Sequence, residues 1–123
     1  MEQFQAVRVN GAILPSQTDQ NVILIGKVTE TGPEYSTLQA SDGAPIRVKM
    51  SAGNAYNSAY VEVVGHVYPD EAGGLYVDEF ISRDLGDNFN LENYNEVVEM
   101  ANGRFAHLFR DVPAAAAAAG PQQ

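Results

Sequence analysis

Between Leu91 and Leu108 the spacing of apolar residues is that of a helix with one greasy side. On a wheel, Val97, Leu108, Ala101, Tyr94, Phe105, Val98 and Leu91 follow one another within about 120° of arc. Asn95, Glu99, Glu92 and Glu96 take the opposite face. Asn90 is placed to cap the N-terminus, Phe89 to staple onto Tyr94, and Gly103 to stop the helix. A helix of roughly three turns is marginal alone in water. Its stripe must therefore be covered, and what covers it constrains both fold and function.

Everything before Gly86 reads as short strands. Asn21–Thr29 is a β-branched run with Gly26 inside it, as expected where a long strand bulges or coils around a small barrel. Gly32-Pro33 ends it. Tyr35–Ala40 and Ile46–Met50 flank Asp42-Gly43, a hairpin signal because glycine accepts the positive φ of a tight turn. Ser51–Ser58 is small and polar and reads as a loop. Ala59–Tyr68 and, after Gly73-Gly74, Leu75–Ile81 complete the set. The predicted fold class is all-β with a terminal helix: a five-stranded Greek-key barrel of the OB type plus a C-terminal α-helix. The expected organisation is an N-terminal extension covering the barrel (1–20, with Val7–Leu14 as an extended piece and short turn), the barrel (21–85), an oligomerisation helix (88–109) and a disordered Ala/Pro-rich tail (110–123).

The net charge is −9, unevenly spread. Residues 1–68 hold six acids and four bases, and residues 69–100 hold nine acids against Arg83 alone. Autonomous nucleic-acid binding draws on Lys and Arg that neutralise phosphates, and this chain has too few. Without cysteine, thiolate metal sites, thiol nucleophiles and disulfides are excluded. No run is long and apolar enough to span a bilayer, and no signal-peptide pattern opens the chain, so it reads as soluble and intracellular.

Enzyme chemistry has little to stand on. His66 and His107 are isolated, and Asp78 and Glu79 sit side by side on a strand, pointing to opposite faces, where both read as solvated charge. No phosphate loop or nucleophile elbow is present. The expectation is no enzyme, no metal and no cofactor. Exposed aromatics with basic neighbours are how such barrels hold single strands. Tyr35, Tyr56, Tyr60, Tyr68 and Tyr76 are the aromatic candidates, and Tyr35, Arg47 and Lys49 the candidates for a peripheral DNA contact. Rings packed over the barrel openings and a plain solvent face are the competing readings.

The helix stripe has two readings as well: packing on the chain's own barrel, or on helices of other chains. Its richness, and small Ala101 beside Tyr94 and Val98, favour the second. Burial of Leu91, Tyr94, Val97 and Val98 is worth roughly 6–12 kcal/mol gross, against an association cost of about 4–15 kcal/mol. A bundle of more than two helices follows.

These residues resemble a known family, the smallest subunit of the single-stranded-DNA-binding heterotrimer replication protein A. The resemblance runs from about residue 7 to 109. It is carried by Arg8-Val9-Asn10, Val22–Val28, Ser41-Asp42-Gly43, Val61-Glu62-Val63-Val64-Gly65 and Phe89–Val98. It implies a structural subunit whose partners are the middle and large subunits, joined in a three-helix bundle, with DNA held mainly by those subunits. By position the bundle residues are Leu91, Tyr94, Val97, Val98 and Ala101, then Phe105 and Leu108. Roles in replication, repair and recombination, and a nuclear location, are implied with it. Rival readings are a small OB subunit of a telomere-end-binding complex and a free-standing module for single strands or oligosaccharides. The resemblance leads to the expectation that Tyr94→Glu with Val98→Glu leaves the barrel folded and abolishes assembly.

Overall fold

The computed structural model describes residues 6–102. Six strands, β1 (Val7–Val9), β2 (Asn21–Thr31), β3 (Tyr35–Ala40), β4 (Pro45–Lys49), β5 (Tyr60–Pro69) and β6 (Leu75–Gly86), precede helix α1 (Leu91–Asn102). They pair in the order β1-β2-β3-β4-β6-β5, and β5 returns to β2, so β2 to β6 close a five-stranded barrel. The expected five strands are all present. In the N-terminal segment β1 adds a sixth strand, parallel to β2, with Val7, Arg8 and Val9 opposite Val22, Ile23 and Leu24.

β2 is buried on both faces, which is why its sequence is an unbroken apolar run instead of an alternation. Val22 and Leu24 point into the barrel with Val9, Leu38, Val48, Val61, Val63, Val67 and Val77. Ile23 and Ile25 belong to the outer face and meet Val97, Val98, Tyr94, Leu85, Phe89 and Leu91. Gly26 pairs with Ala40 on one side and Val61 on the other. A Cβ there would stand 2.8 Å from the Gln39 carbonyl oxygen. The glycine thus permits a close strand approach, and the bulge expected at it lies further on, between Val28 and Glu30.

A second bulge shapes β6. Val64 faces Ile81 but Gly65 faces Glu79, leaving Phe80 as the extra residue. Alternation restarts beyond it, so Phe80 and Ile81 are both exposed while Glu79 and Val77 are inside.

The hairpin turn ties the N-terminal segment down. Asp42 accepts from the backbone N–H groups of Gly11 (3.0 Å), Ala12 (3.0 Å) and Ala44 (3.3 Å). Partial burial pushes against the charged form, but these donors outweigh it and hold the carboxyl below its ordinary 3.8. A depressed carboxylate contributes stability that is full above its unfolded pKa and lost as pH falls through the folded one. Asp42→Ala is therefore expected to lower stability by about 1 kcal/mol at neutral pH. In urea melts the gap from the parent chain should close as the pH is taken below that of the folded carboxyl.

Candidate interaction surfaces

Two surfaces hold the residues that the sequence singled out. The first is α1 and what lies beneath it. Asn90 caps the helix, its side-chain oxygen accepting from Asn93 N–H at 3.0 Å. The Phe89 ring lies 6.1 Å from those of both Tyr94 and Tyr60. Tyr94, Val97 and Val98 are fully or almost fully buried against Ile23, Ile25 and Leu85. Thus the chain's own barrel covers this part of the stripe, because Ile23 and Ile25 present an apolar strip on the outer face of β2. Leu91 and Ala101 are half-buried, and Phe105 and Leu108 lie outside the described residues.

The docking contact is polar at its edges. Asn95, assigned by the wheel to the solvent face, accepts from Asn10 Nδ2 (2.9 Å) and Ser41 Oγ (2.8 Å). Asn102 donates to the Arg8 carbonyl oxygen at 2.6 Å. Arg8 itself is buried, and its guanidinium and the Glu62 carboxylate are the charges that act on the Tyr94 hydroxyl. Burial, partly offset by Arg8 and reinforced by Glu62, drives that phenol above its usual range. Tyr94 therefore stays neutral at any pH the fold meets.

The second surface is the outer face of β3, β4, β6 and β5. Backbone register lays two rows across it: Tyr68, Tyr76, Arg47 and Thr37, and beside them His66, Asp78, Lys49 and Tyr35. Tyr35 meets Tyr76 edge-on at 6.1 Å between centroids, Tyr76 meets Tyr68 at 5.8 Å, and Tyr68 meets His66 at 4.7 Å. The Arg47 guanidinium lies 4.4 Å over the Tyr35 ring and 3.6 Å from Asp70. Lys49 is 3.8 Å from Glu34. Tyr35, Arg47, Tyr76 and the 69–72 loop enclose a cleft of about 570 Å³. Asp70 shapes that loop by accepting from Ala72 and Gly74 N–H.

The structure thus brings Tyr35, Arg47 and Lys49 together and gathers Tyr68 and Tyr76 with them. It sends the other two tyrosines elsewhere. Tyr60 packs near Phe89, and Tyr56 points at Glu79. Asp70 joins this surface with no signal in the local sequence, because it reaches Arg47 far away along the chain, whereas His66 follows from strand alternation, two residues before Tyr68 on β5.

Glu79 corrects a further expectation. It is buried, not solvated, and its carboxylate accepts from Ser51 Oγ (2.6 Å), Asn54 Nδ2 (2.6 Å) and the Tyr56 hydroxyl. Burial first, then the hydrogen bond and negative charge of Glu79, push the Tyr56 phenol far up. Strand alternation does separate the acidic pair as expected, with Asp78 outward and Glu79 inward beneath the 51–58 loop. No imidazole joins this cluster among its described hydrogen-bond partners, and it acts as a lock on the loop.

The family model described as replication factor A protein 3 matches residues 1–109. This chain belongs to the replication factor A protein 3 family. A 14 kDa subunit of replication protein A from Arabidopsis thaliana is 33% identical over 103 residues, covering 82% of this chain and 91% of that one. The 14 kDa subunit of Oryza sativa subsp. japonica is 29% identical over 104 residues, covering 85% and 93%. Among solved structures, a chain of U. maydis replication protein A bound to ssDNA superposes with a TM-score of 0.78 at 24% identity, covering 89% of this chain and all of that one. A chain of the S. pombe Stn1–Ten1 complex superposes at 0.57 and 16% identity, covering 79% and 90%. Both structural likenesses concern the fold. The replication factor A protein 3 match, spanning barrel and helix together, is what sets this chain's family apart from the Stn1–Ten1 chain that shares its shape.

Proposed function

We propose that this chain is the structural OB subunit of a heterotrimeric single-stranded-DNA-binding replication protein A, holding the trimer together in DNA replication, repair and recombination in the nucleus. The observation that carries this reading is the family match over residues 1–109, with relatives named as 14 kDa subunits of replication protein A. Its partners are the middle and large subunits, through which DNA is mainly held. Charge supports that division, since Arg47 and Lys49 each face a carboxylate and the chain carries −9 overall. Tyr35, Arg47 and Lys49 contribute at most a peripheral DNA contact.

Burial on the barrel divides the helix stripe into two jobs. Tyr94, Val97 and Val98 seat α1 on β2, with Leu91 packed against the same cluster. The partner helices then meet Ala101 and the continuation of the stripe at Phe105 and Leu108, in a three-helix bundle. The test is to weigh the purified chain by itself and after mixing with middle and large subunits, for the parent and for Phe105→Glu with Leu108→Glu. The parent is expected to form an equimolar trimer. The double variant should keep the melting curve of the lone chain and lose the trimer. A double variant that still assembles overturns the assignment.

A further inference from the structure

Within the tyrosine face, one cation is already held in place by an aromatic ring and an acid. Arg47 lies with its guanidinium over the Tyr35 ring and its edge toward the Asp70 carboxylate, which is how a planar cation is gripped from two sides. The same kinds of group recur next to it, where Lys49 and His66 flank Asp78 in register but pair with Glu34 and Asp19 instead. Tyr76 and Tyr68 continue the aromatic row, and Tyr68 is 38% exposed. Glu71 lines the cleft with Tyr76, and Asp78 shares the outer face of β6 with it. Among the described residues neither Glu71 nor Asp78 forms an ion pair.

We infer that this face is a docking surface for an extended, Arg- or Lys-bearing segment of a partner protein, whose cationic side chains lie on Tyr76 and Tyr68 with Glu71 and Asp78 as counter-charges. Alternate residues of an extended chain stand about 7 Å apart, close to the 5.8 and 6.1 Å between successive tyrosine rings. A nucleic-acid strand fits the same rings but not the charge. It would have to displace Asp70 from Arg47 and Glu34 from Lys49, and then lie against Glu71 and Asp78. With both cations already neutralised, little counter-ion release is left to drive it. For a basic peptide the net −9 of the chain instead favours approach. Helix α1 packs on β1 and β2, so the surface stays open while the helix end is engaged elsewhere.

The experiment titrates the full chain, isotope-labelled, with a short peptide alternating arginine and glycine, with its glutamate counterpart, and with an oligothymidylate. The arginine peptide is expected to shift the amide signals of Tyr35, Tyr68, Tyr76 and residues 70–74, and the glutamate peptide to shift none of them. Tyr76→Ala should weaken the arginine peptide about fivefold. Because Tyr76 is half-buried, Glu71→Lys at an exposed loop position is the cleaner variant and should weaken it at least as much. Glu96→Lys, an equal change of charge on the outer side of α1, should leave the affinity unchanged. Equal weakening by Glu71→Lys and Glu96→Lys would overturn the proposal, since attraction would then be general. So would an oligothymidylate that binds these same residues more tightly than the arginine peptide.

Discussion

Tyr94→Ala is expected to cost the lone chain about 3–5 kcal/mol, the range for emptying a buried aromatic site. Among the described residues its side chain is the largest that is wholly enclosed, and it belongs to the cluster joining α1 to the barrel. Its ring touches the Phe89 staple, Ile25 lies beneath it, and Val97 and Val98 flank it on the helix. A domain of this size has roughly 5–15 kcal/mol to lose. The variant should therefore melt far below the parent, with α1 released and the outer strip of Ile23 and Ile25 opened to water. Tyr94→Phe separates packing from the hydroxyl. It keeps the ring and removes an oxygen lying beside Arg8 and Glu62, so it should retain most of the stability. A Tyr94→Ala chain that melts like the parent would show that the helix is dispensable to the barrel. By the same geometry, Tyr94→Glu with Val98→Glu places two carboxylates where neither water nor a partner reaches them. Loss of assembly in that variant would report a damaged fold, and Phe105 with Leu108 makes the more discriminating pair.

The difference between those two tests marks where sequence was informative. Amphipathic period and capping residues located α1 to the residue at its start, and β-branched runs between Gly-, Asp- and Pro-rich breaks located the barrel strands. These are local signals, set by i to i+4 or i to i+2 spacing. What covered the stripe was a long-range matter. The clue lay in Val22–Ile25, whose unbroken apolar run is what a strand buried on both faces requires, and the outer partner of that strand is α1. Asn95 shows the opposite failure. On the wheel an asparagine belongs to the wet side, yet Asn10 and Ser41, from β1's end and the hairpin, turn it into a docking contact. In the aromatic face, Tyr35, Arg47 and Lys49 were legible because Arg47 and Lys49 alternate on one strand. Their neutralisation by Asp70 and Glu34 was not, since it depends on where two loops return.

Glu79→Ala is expected to be the second large loss, about 3 kcal/mol, from leaving three half-buried donors without an acceptor. Ser51, Asn54 and Tyr56 all converge on that carboxylate, and Asn54 also reaches Ser82 Oγ at 2.9 Å. The 51–58 loop is small, polar and without regular structure; its far end is tied separately, by Asn57 N–H and Ser58 Oγ to Asp84, so Glu79 holds the near half. The damage should consequently be local before it is global. Amide exchange is expected to accelerate first across residues 51–58, with the amides in the β2–β5 ladder following only at the global rate. Glu79→Gln tests whether charge or mere hydrogen bonding matters. The amide keeps one acceptor oxygen and replaces the other with a donor, which then faces the donors that the carboxylate satisfied. It should recover only part of the loss, and Tyr56→Phe, which removes one donor and leaves the carboxylate its other partners, should cost less than either. If Glu79→Ala and the parent exchange alike across the loop, the carboxylate is not its lock. The loop would then be held by its remaining contacts, Asn54 to Ser82, Asn57 and Ser58 to Asp84 and the Tyr56 ring on the core, and a buried carboxylate on β6 would be a cost that nothing in the fold repays.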